Sequence, residues 1–560
     1  MSQQITASLA TEAKRSTYNM KHVVVCVALL AAALLPLAAL VKHALAPDSD
    51  GAGSGSGLWL HYATTVLPGY VWNSLLLGAS VALIASAIGV SCAWQIERYE
   101  FPGRRVLAWA LLLPMAMPAY VAAYAITDYF QFSGPLQSAL RNAFGWYKGD
   151  YWFPEPASMP GAIAVFSLTL YPYVYLLARN AFAERGTELF EAARTLGLSS
   201  AQAWWRAVVP VARPAVAAGA LLVVMETLAD FGTVSYFGVE TFTTGIYRAW
   251  QNMADLAAAA QLALVLLFFV IVLIAWERRS RARARYASTR ARRSHRASTL
   301  SAAQAWGRLL LCSLPLLLGF VLPCVLLLRL LIADFDTNVT TKIAVWIFNS
   351  LRVGIFAALV AVAISMYLNA QARLAKNALA LKVERVLSFG YAVPGAVLAL
   401  GVLLPLAWAD NQLIAASKAW FGINPGLLLT GSVVALVYAS VLRFYGVASA
   451  NVSASYTRIA PSLDDSARVL GMGRLTIFKR VHWPLVRRGA LAALLLVFID
   501  SVKELPATLS LRPFNFDTLA TMTYTLVKDE RLAEAALPSL FIVAISLPAI
   551  WLLARAEARP

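Results

Sequence analysis

Two short stretches decide how this chain is built: Glu191-Ala192-Ala193-Arg194-Thr195-Leu196-Gly197 and Asp465-Ser466-Ala467-Arg468-Val469-Leu470-Gly471. Each is followed by a proline, Pro210 or Pro484, at the entrance to a long apolar segment. Small side chains at Ala192, Ala193 and Ala467 let a short helix pack closely into another protein's groove. Gly197 and Gly471 permit the left-handed backbone that ends such a helix abruptly. The prolines are expected to redirect the chain into the apolar helix that follows. One such stretch would be explained by an ordinary amphipathic loop; two at matching places argue for a repeated device. In the second copy Asp465 and Ser466 replace Glu and Ala. Charge and small size are kept, with unequal action of the two copies as the expected consequence.

Working outward, the whole chain repeats. Asn73-Ser74-Leu75 with Gly78 recurs as Asn349-Ser350-Leu351 with Gly354, a shift of 276 residues, and Pro118 maps to Pro394 by the same shift. Around the two quoted stretches the offset is 274, carrying Gly197 to Gly471 and Pro210 to Pro484. An even number of spans per copy makes the repeat parallel.

Of the 560 residues 60% are hydrophobic and only 14% charged, a charge content well below the ~25% of a soluble protein. Apolar blocks such as Val23–Val41, Ala257–Trp276 and Leu309–Leu328 are each long enough to cross a bilayer core of about 30 Å. About twelve transmembrane helices are expected, at 23–41, 71–94, 106–126, 160–182, 214–236, 257–276, 309–332, 347–369, 386–407, 426–446, 489–511 and 536–554. The first is read as retained, although Ala44-Leu45-Ala46 resembles a leader-cleavage site. The predicted class is therefore an all-α integral membrane protein of two parallel six-helix repeats. Its parts are an N-terminal segment 1–22, a first repeat 23–276 with its loop at 183–213, a basic linker 277–308, and a second repeat 309–560 with its loop at 447–488.

The net charge of +18 is concentrated where it orients a membrane protein. Arginines crowd 278–296 directly after a span, and basic residues recur beside both quoted loops. This bias places both termini, the linker and both loops in the cytoplasm, and the Gly/Ser stretch 51–57 and aromatic loop 129–160 outside. Contact with anionic lipid is a secondary use of such tracts; nucleic acid binding is not expected. Cys26, Cys92, Cys312 and Cys324 lie apart in apolar segments, and the histidines are scattered, so no metal cluster is visible. Carboxylates inside spans are the unusual feature. Glu226 and Asp230, four residues apart, map by the 274 offset onto Asp500 and Glu504. Such groups usually face a partner or an aqueous cavity, and these four are candidates for a substrate pathway. Neutralisation by Lys503 is the competing explanation.

The paired stretches resemble the EAA loops of ABC importer permeases, and on them the chain is identified as a member of the binding-protein-dependent, type I (MetI-like) group. The resemblance implies an ATPase-coupling role for Glu191, Ala192, Ala193, Gly197, Pro210, Asp465, Ala467, Gly471 and Pro484. No G-x-x-x-x-G-K-[ST] phosphate loop occurs in the chain, so ATP and Mg²⁺ are expected on two copies of a separate ATPase subunit, with no cofactor here. The chain itself is then not an enzyme. Fused permeases of this kind resemble importers of ferric iron, thiamine, polyamines or anions. Leu228-Ala229-Asp230-Phe231-Gly232-Thr233-Val234-Ser235-Tyr236-Phe237-Gly238 and Ser501-Val502-Lys503-Glu504-Leu505-Pro506-Ala507-Thr508 resemble the ferric-iron group most. That implies a bacterial inner-membrane location and a periplasmic, ferric-binding delivery protein. A secondary transporter is the rival reading, since it too can have two six-helix halves.

Overall fold

The structure, a computed structural model, describes residues 2–45, 62–147, 149–282, 300–333, 337–375 and 377–558. The stretch 51–57 and most of the basic linker, 283–299, lie outside the described residues. Regular structure among the described residues is helical throughout, with no β-strand.

The main helices are α1 (Ser2–Leu45), α2 (Leu67–Arg98), α3 (Ala119–Phe130), α4 (Met159–Ala181), α5 (Val209–Ala229) and α6 (Leu256–Ala282). They are followed by α7 (Ala302–Ala333), α8 (Thr337–Leu374), α9 (Gly395–Phe421), α10 (Val433–Thr457), α11 (Trp483–Val502) and α12 (Leu532–Ala558). In the first half α2, α4 and α5 pack mutually; in the second, α8, α10 and α11 do the same. The first helix of each half reaches across. α1 lies on α6 but also on α9 and the helix Ala378–Ser388 before it, while α7 packs on α12 and against α2 and α3. Tyr438 on α10 donates its hydroxyl hydrogen to the Ala32 carbonyl on α1, tying that exchange.

Among the described residues ten helices are long and apolar enough to cross a membrane, and a pair bent by 88° between Ala116 and Ala119 makes an eleventh. About twelve were expected from the sequence. The span predicted at 489–511 is helical over Trp483–Val502, a helix that carries Arg487 and Arg488 near its start and Asp500 near its end. Four predicted spans also contain breaks. Those at 106–126 and 386–407 are interrupted before Pro118 and Pro394, because a residue preceding proline is driven out of the helical region. Those at 214–236 and 489–511 stop at Ala229 and Val502, and short helices Gly232–Tyr236 and Pro506–Leu511 restart after them.

The repeated Asn-Ser pair has a common task. The Asn73 amide donates to the Glu240 carbonyl at 2.9 Å, and Ser74 Oγ accepts from the Phe242 amide. Asn349 and Ser350 make the same two bonds, with the Asp517 carbonyl and the Leu519 amide. Backbone that leaves its helix is thereby satisfied by side chains rather than by water, as burial in a membrane protein demands.

Single cysteines at Trp152 (86% exposed) and Leu196 (83%), in a background lacking the native four, test the orientation. An impermeant thiol reagent is expected to reach position 152 from outside intact cells, and position 196 only after the cells are opened.

Candidate functional site

Both quoted stretches form nine-residue helices, Thr187–Thr195 and Pro461–Val469. They end identically. The Leu196, Gly197 and Leu198 amides return to the Ala192, Arg194 and Ala193 carbonyls, and the Leu470, Gly471 and Met472 amides return to Ser466, Arg468 and Ala467. Gly197 (φ +87°) and Gly471 (φ +75°) occupy the left-handed position that closes this motif. Ala193 and Ala467 turn inward and are buried, whereas Ala192 and Ser466 are exposed; the Ala-to-Ser departure therefore falls where nothing packs. Leu196, Val469 and Leu470 stand out as uncovered apolar side chains beside the two elbows.

Pro210 and Pro484 do something other than redirect the chain. Each sits at the start of its helix, α5 or α11, just after a π-helical turn, Trp204–Val208 or Phe478–His482. Over 200–229 the helix is continuous. The wider turn leaves a place for a residue without an N–H, and the elbow lies at Gly197 and Gly471 instead.

The two short helices are anchored by different residues from those their alignment suggests. Glu191, half-exposed, pairs with Arg98 at the end of α2 at 2.7 Å, and the neighbouring Phe190 packs edge-on against Trp94. In the second copy the aligned Asp465 is exposed and, among the described residues, pairs with Arg468 on its own helix. Its predecessor Asp464 is buried, accepting from Arg373 Nε at 2.6 Å and bonded to His482 Nε2 at 2.8 Å. Arg373 also donates to the Tyr456 and Ile459 carbonyls. Burial alone would push the Asp464 carboxyl up, but hydrogen bonds from His482 and Arg373, with the arginine's charge, hold it below the usual carboxylate range. A carboxyl lowered on folding supports the fold above its ordinary range and withdraws that support as pH falls through the lowered value. Arg373→Ala is expected to destabilise the purified permease by about 3 kcal/mol, since it deprives the buried Asp464 carboxylate of its guanidinium partner and leaves it only the His482 bond. Arg98→Ala, opposite a half-exposed Glu191, is expected to cost under about 1 kcal/mol in ion pairing; thermal unfolding of the two variants checks the order.

The four membrane carboxylates converge. Glu226, Asp230, Asp500 and Glu504 line one cavity of about 80 Å³ between the halves, together with the backbone breaks at Pro118 and Pro506. Asp230 is not on the face of α5. It follows the last residue of that helix in extended conformation, and its Oδ1 accepts from the amides of Thr233 (2.7 Å) and Val234 (3.4 Å). Glu504 does likewise in the second half, accepting from the Ala507 and Thr508 amides and the Thr508 hydroxyl. Each carboxylate caps the helix that restarts after the break.

The halves then part company. Arg443 on α10 reaches Glu504 at 2.8 Å with both side chains buried, and Lys503 pairs with Asp500 at 2.8 Å. The 274 offset places Thr169 and Ala229 where Arg443 and Lys503 stand, so the first half supplies no such cation. Gly395 makes room for the Arg443 pair: a Cβ there would lie 2.0 Å from the guanidinium and 2.7 Å from Glu504 Oε1. Glu226 instead accepts from the Tyr391 hydroxyl across the interface. Arg443 was open to detection in the sequence as a lone arginine inside an apolar span, but its partner was not.

A family model described as "Binding-protein-dependent transport system inner membrane component" matches residues 85–286. The chain is 24% identical over 486 residues to the Fe(3+)-transport system permease protein FbpB 2 of Haemophilus influenzae, covering 86% of this chain and 88% of that protein. It is 30% identical over 212 residues to the sulfate transport system permease protein CysW of Synechocystis sp., covering 34% of this chain and 72% of that one. To the molybdenum transport system permease protein ModB of Escherichia coli (strain K12) it is 25% identical over 204 residues, 35% of this chain and 86% of that one. Twin glycine-ended loops, broken helices around a shared cavity and these matches lead to one conclusion: the chain belongs to the inner-membrane permeases of binding-protein-dependent ABC importers.

Proposed function

We propose that this permease carries ferric iron, and that it does so by alternating access driven by two copies of a separate ATPase subunit. A periplasmic binding protein delivers the substrate to the outer end of the cavity. Closure of the ATPase pair moves both short helices together, and the halves rock about the interface that holds the four carboxylates. The loops transmit the preference of the ATP-bound pair for one permease conformation over the other. Hydrolysis, ATP and Mg²⁺ belong to the partner, and both termini face the cytoplasm.

The observation that carries the substrate is the cavity wall. Four carboxylates against two cations leave a formal excess of negative charge among these residues, and both cations are already engaged by carboxylates. An oxyanion entering there meets unfavourable charge, whereas a multivalent cation is attracted. Supporting this, FbpB 2 is similar over both halves, whereas the sulfate and molybdenum relatives align with about a third of the chain. Those relatives favour an oxyanion as the second reading. Uptake of radiolabelled iron and of radiolabelled sulfate in a strain lacking the chain, with and without its restoration, separates the two. Restored iron uptake with unchanged sulfate uptake is expected; the reverse would overturn the ferric assignment. Co-purification of an ATPase with the tagged chain tests the importer class against a secondary transporter.

A further inference from the structure

The two walls of the cavity are not chemically equivalent. On the second-half wall each carboxylate is neutralised within its own half: Glu504 by Arg443 and Asp500 by Lys503. On the first-half wall, among the described residues, neither Glu226 nor Asp230 forms an ion pair of its own, although Lys503 lies within electrostatic reach of Glu226.

That wall also carries tyrosines. Tyr120 from α3 and Tyr173 from α4 line the same cavity. The offsets of 276 and 274 put Ala396 and Val447 at the corresponding second-half positions, and the second half adds the Tyr391 hydroxyl, which reaches across to Glu226. Tyr120 is 5% exposed, and its hydroxyl is buried without a hydrogen-bond partner, within electrostatic reach of Asp230 and Glu504. A buried polar group left unpaired calls for an explanation, such as a ligand that visits it.

We infer that the first-half wall, Glu226 and Asp230 with Tyr120 and Tyr173, is a low-affinity transit site for a hard multivalent cation, while Asp500 and Glu504 serve the architecture. Carboxylate and phenol oxygens are hard donors, matched to small, highly charged ions. Tight coordination is not expected there. Among the described residues no three His, Cys, Asp or Glu side chains converge closely enough to hold a metal, and a carrier must release what it binds.

This inference rests on the proposed cation transport, but it is tested without transport. The probe is Tb³⁺ added to full-length permease in lipid nanodiscs, since tyrosine sensitises terbium luminescence at short range. A saturable signal, displaced by La³⁺ but not by equal Mg²⁺, is expected for the wild type. Glu226→Gln/Asp230→Asn is expected to weaken half-saturation by about tenfold. Tyr120→Phe should lower the emission per bound ion. Asp500→Asn/Lys503→Met, which removes an ion pair as a unit from the same cavity, is expected to weaken binding less than the first-half pair does. Absence of a saturable wild-type signal, or equal loss in the first-half and second-half pairs, would overturn the transit site. Iron uptake in cells reads out separately: iron transport unaffected by the first-half pair would refute this site and leave the importer assignment standing.

Discussion

Glu504→Gln is expected to reduce folded permease more than any other single neutralisation of the four cavity carboxylates. Arg443 is buried and Glu504 is its counter-charge at 2.8 Å. Glutamine keeps an acceptor for the Ala507 or Thr508 amide, so the cap is weakened rather than lost. What disappears is the negative charge facing a desolvated guanidinium, a change worth about 3–5 kcal/mol when one partner of a buried pair is removed. Lys503, beside Asp500, is more exposed (17%) than Arg443 (9%), so Asp500→Asn is expected to do less. Glu226→Gln does least, because a tyrosine hydroxyl can hydrogen-bond either side chain. Arg443→Met/Glu504→Gln separates the explanations: if the unpaired charge is the cause, the double variant recovers most of the stability lost by Glu504→Gln alone. The measurement is the monodisperse yield and melting temperature of detergent-purified protein. Wild-type values for Glu504→Gln would mean that the Arg443 pair carries no structural weight.

The second large effect concerns coupling. Gly197→Asp and Gly471→Asp are expected to leave the fold intact and disable the machine. Aspartate is among the residues that tolerate the left-handed region best, and a Cβ at either position meets nothing within 4 Å. The new charge instead sits beside the uncovered Leu196 or Leu470, on the surface proposed to seat the ATPase. Loss of one docking contact of the dominant kind costs about 2 kcal/mol, or roughly a 30-fold weaker association. Affinity capture of the ATPase and normalised uptake are expected to fall together, at unchanged permease yield. The losses need not match, because an exposed carboxylate and an aromatic contact hold the first short helix and a buried ionic cluster holds the second. Full capture and full uptake in both variants would remove these elbows from the coupling path.

The spans, the duplication and the glycine-ended helices were all legible in the sequence for one reason: each depends on near neighbours. A run of apolar residues reports its own need to leave water, and a glycine after a short helix reports its own backbone freedom. The same locality explains where the reading failed. Asp230 and Glu504 scan as helical positions, because four-residue spacing from Glu226 and Asp500 is all that a sequence displays. Whether such a carboxylate continues a helix or captures the amides of the next one depends on how the chain turns around the cavity. Asp465 aligns with Glu191, yet Arg373 and His482 approach from other helices and select Asp464.

What the sequence determined alone was therefore a duplicated, all-helical membrane protein with twin glycine-ended loops and carboxylates inside its spans. Tertiary structure decided which carboxylate meets which cation, that all four share one cavity, and that the first helix of each half packs across the other. Those outcomes rest on contacts between residues far apart in the chain, such as Arg443 with Glu504 and Tyr391 with Glu226. Charge and hydrogen-bond partners there are matched in space, and no local pattern of residues encodes the match.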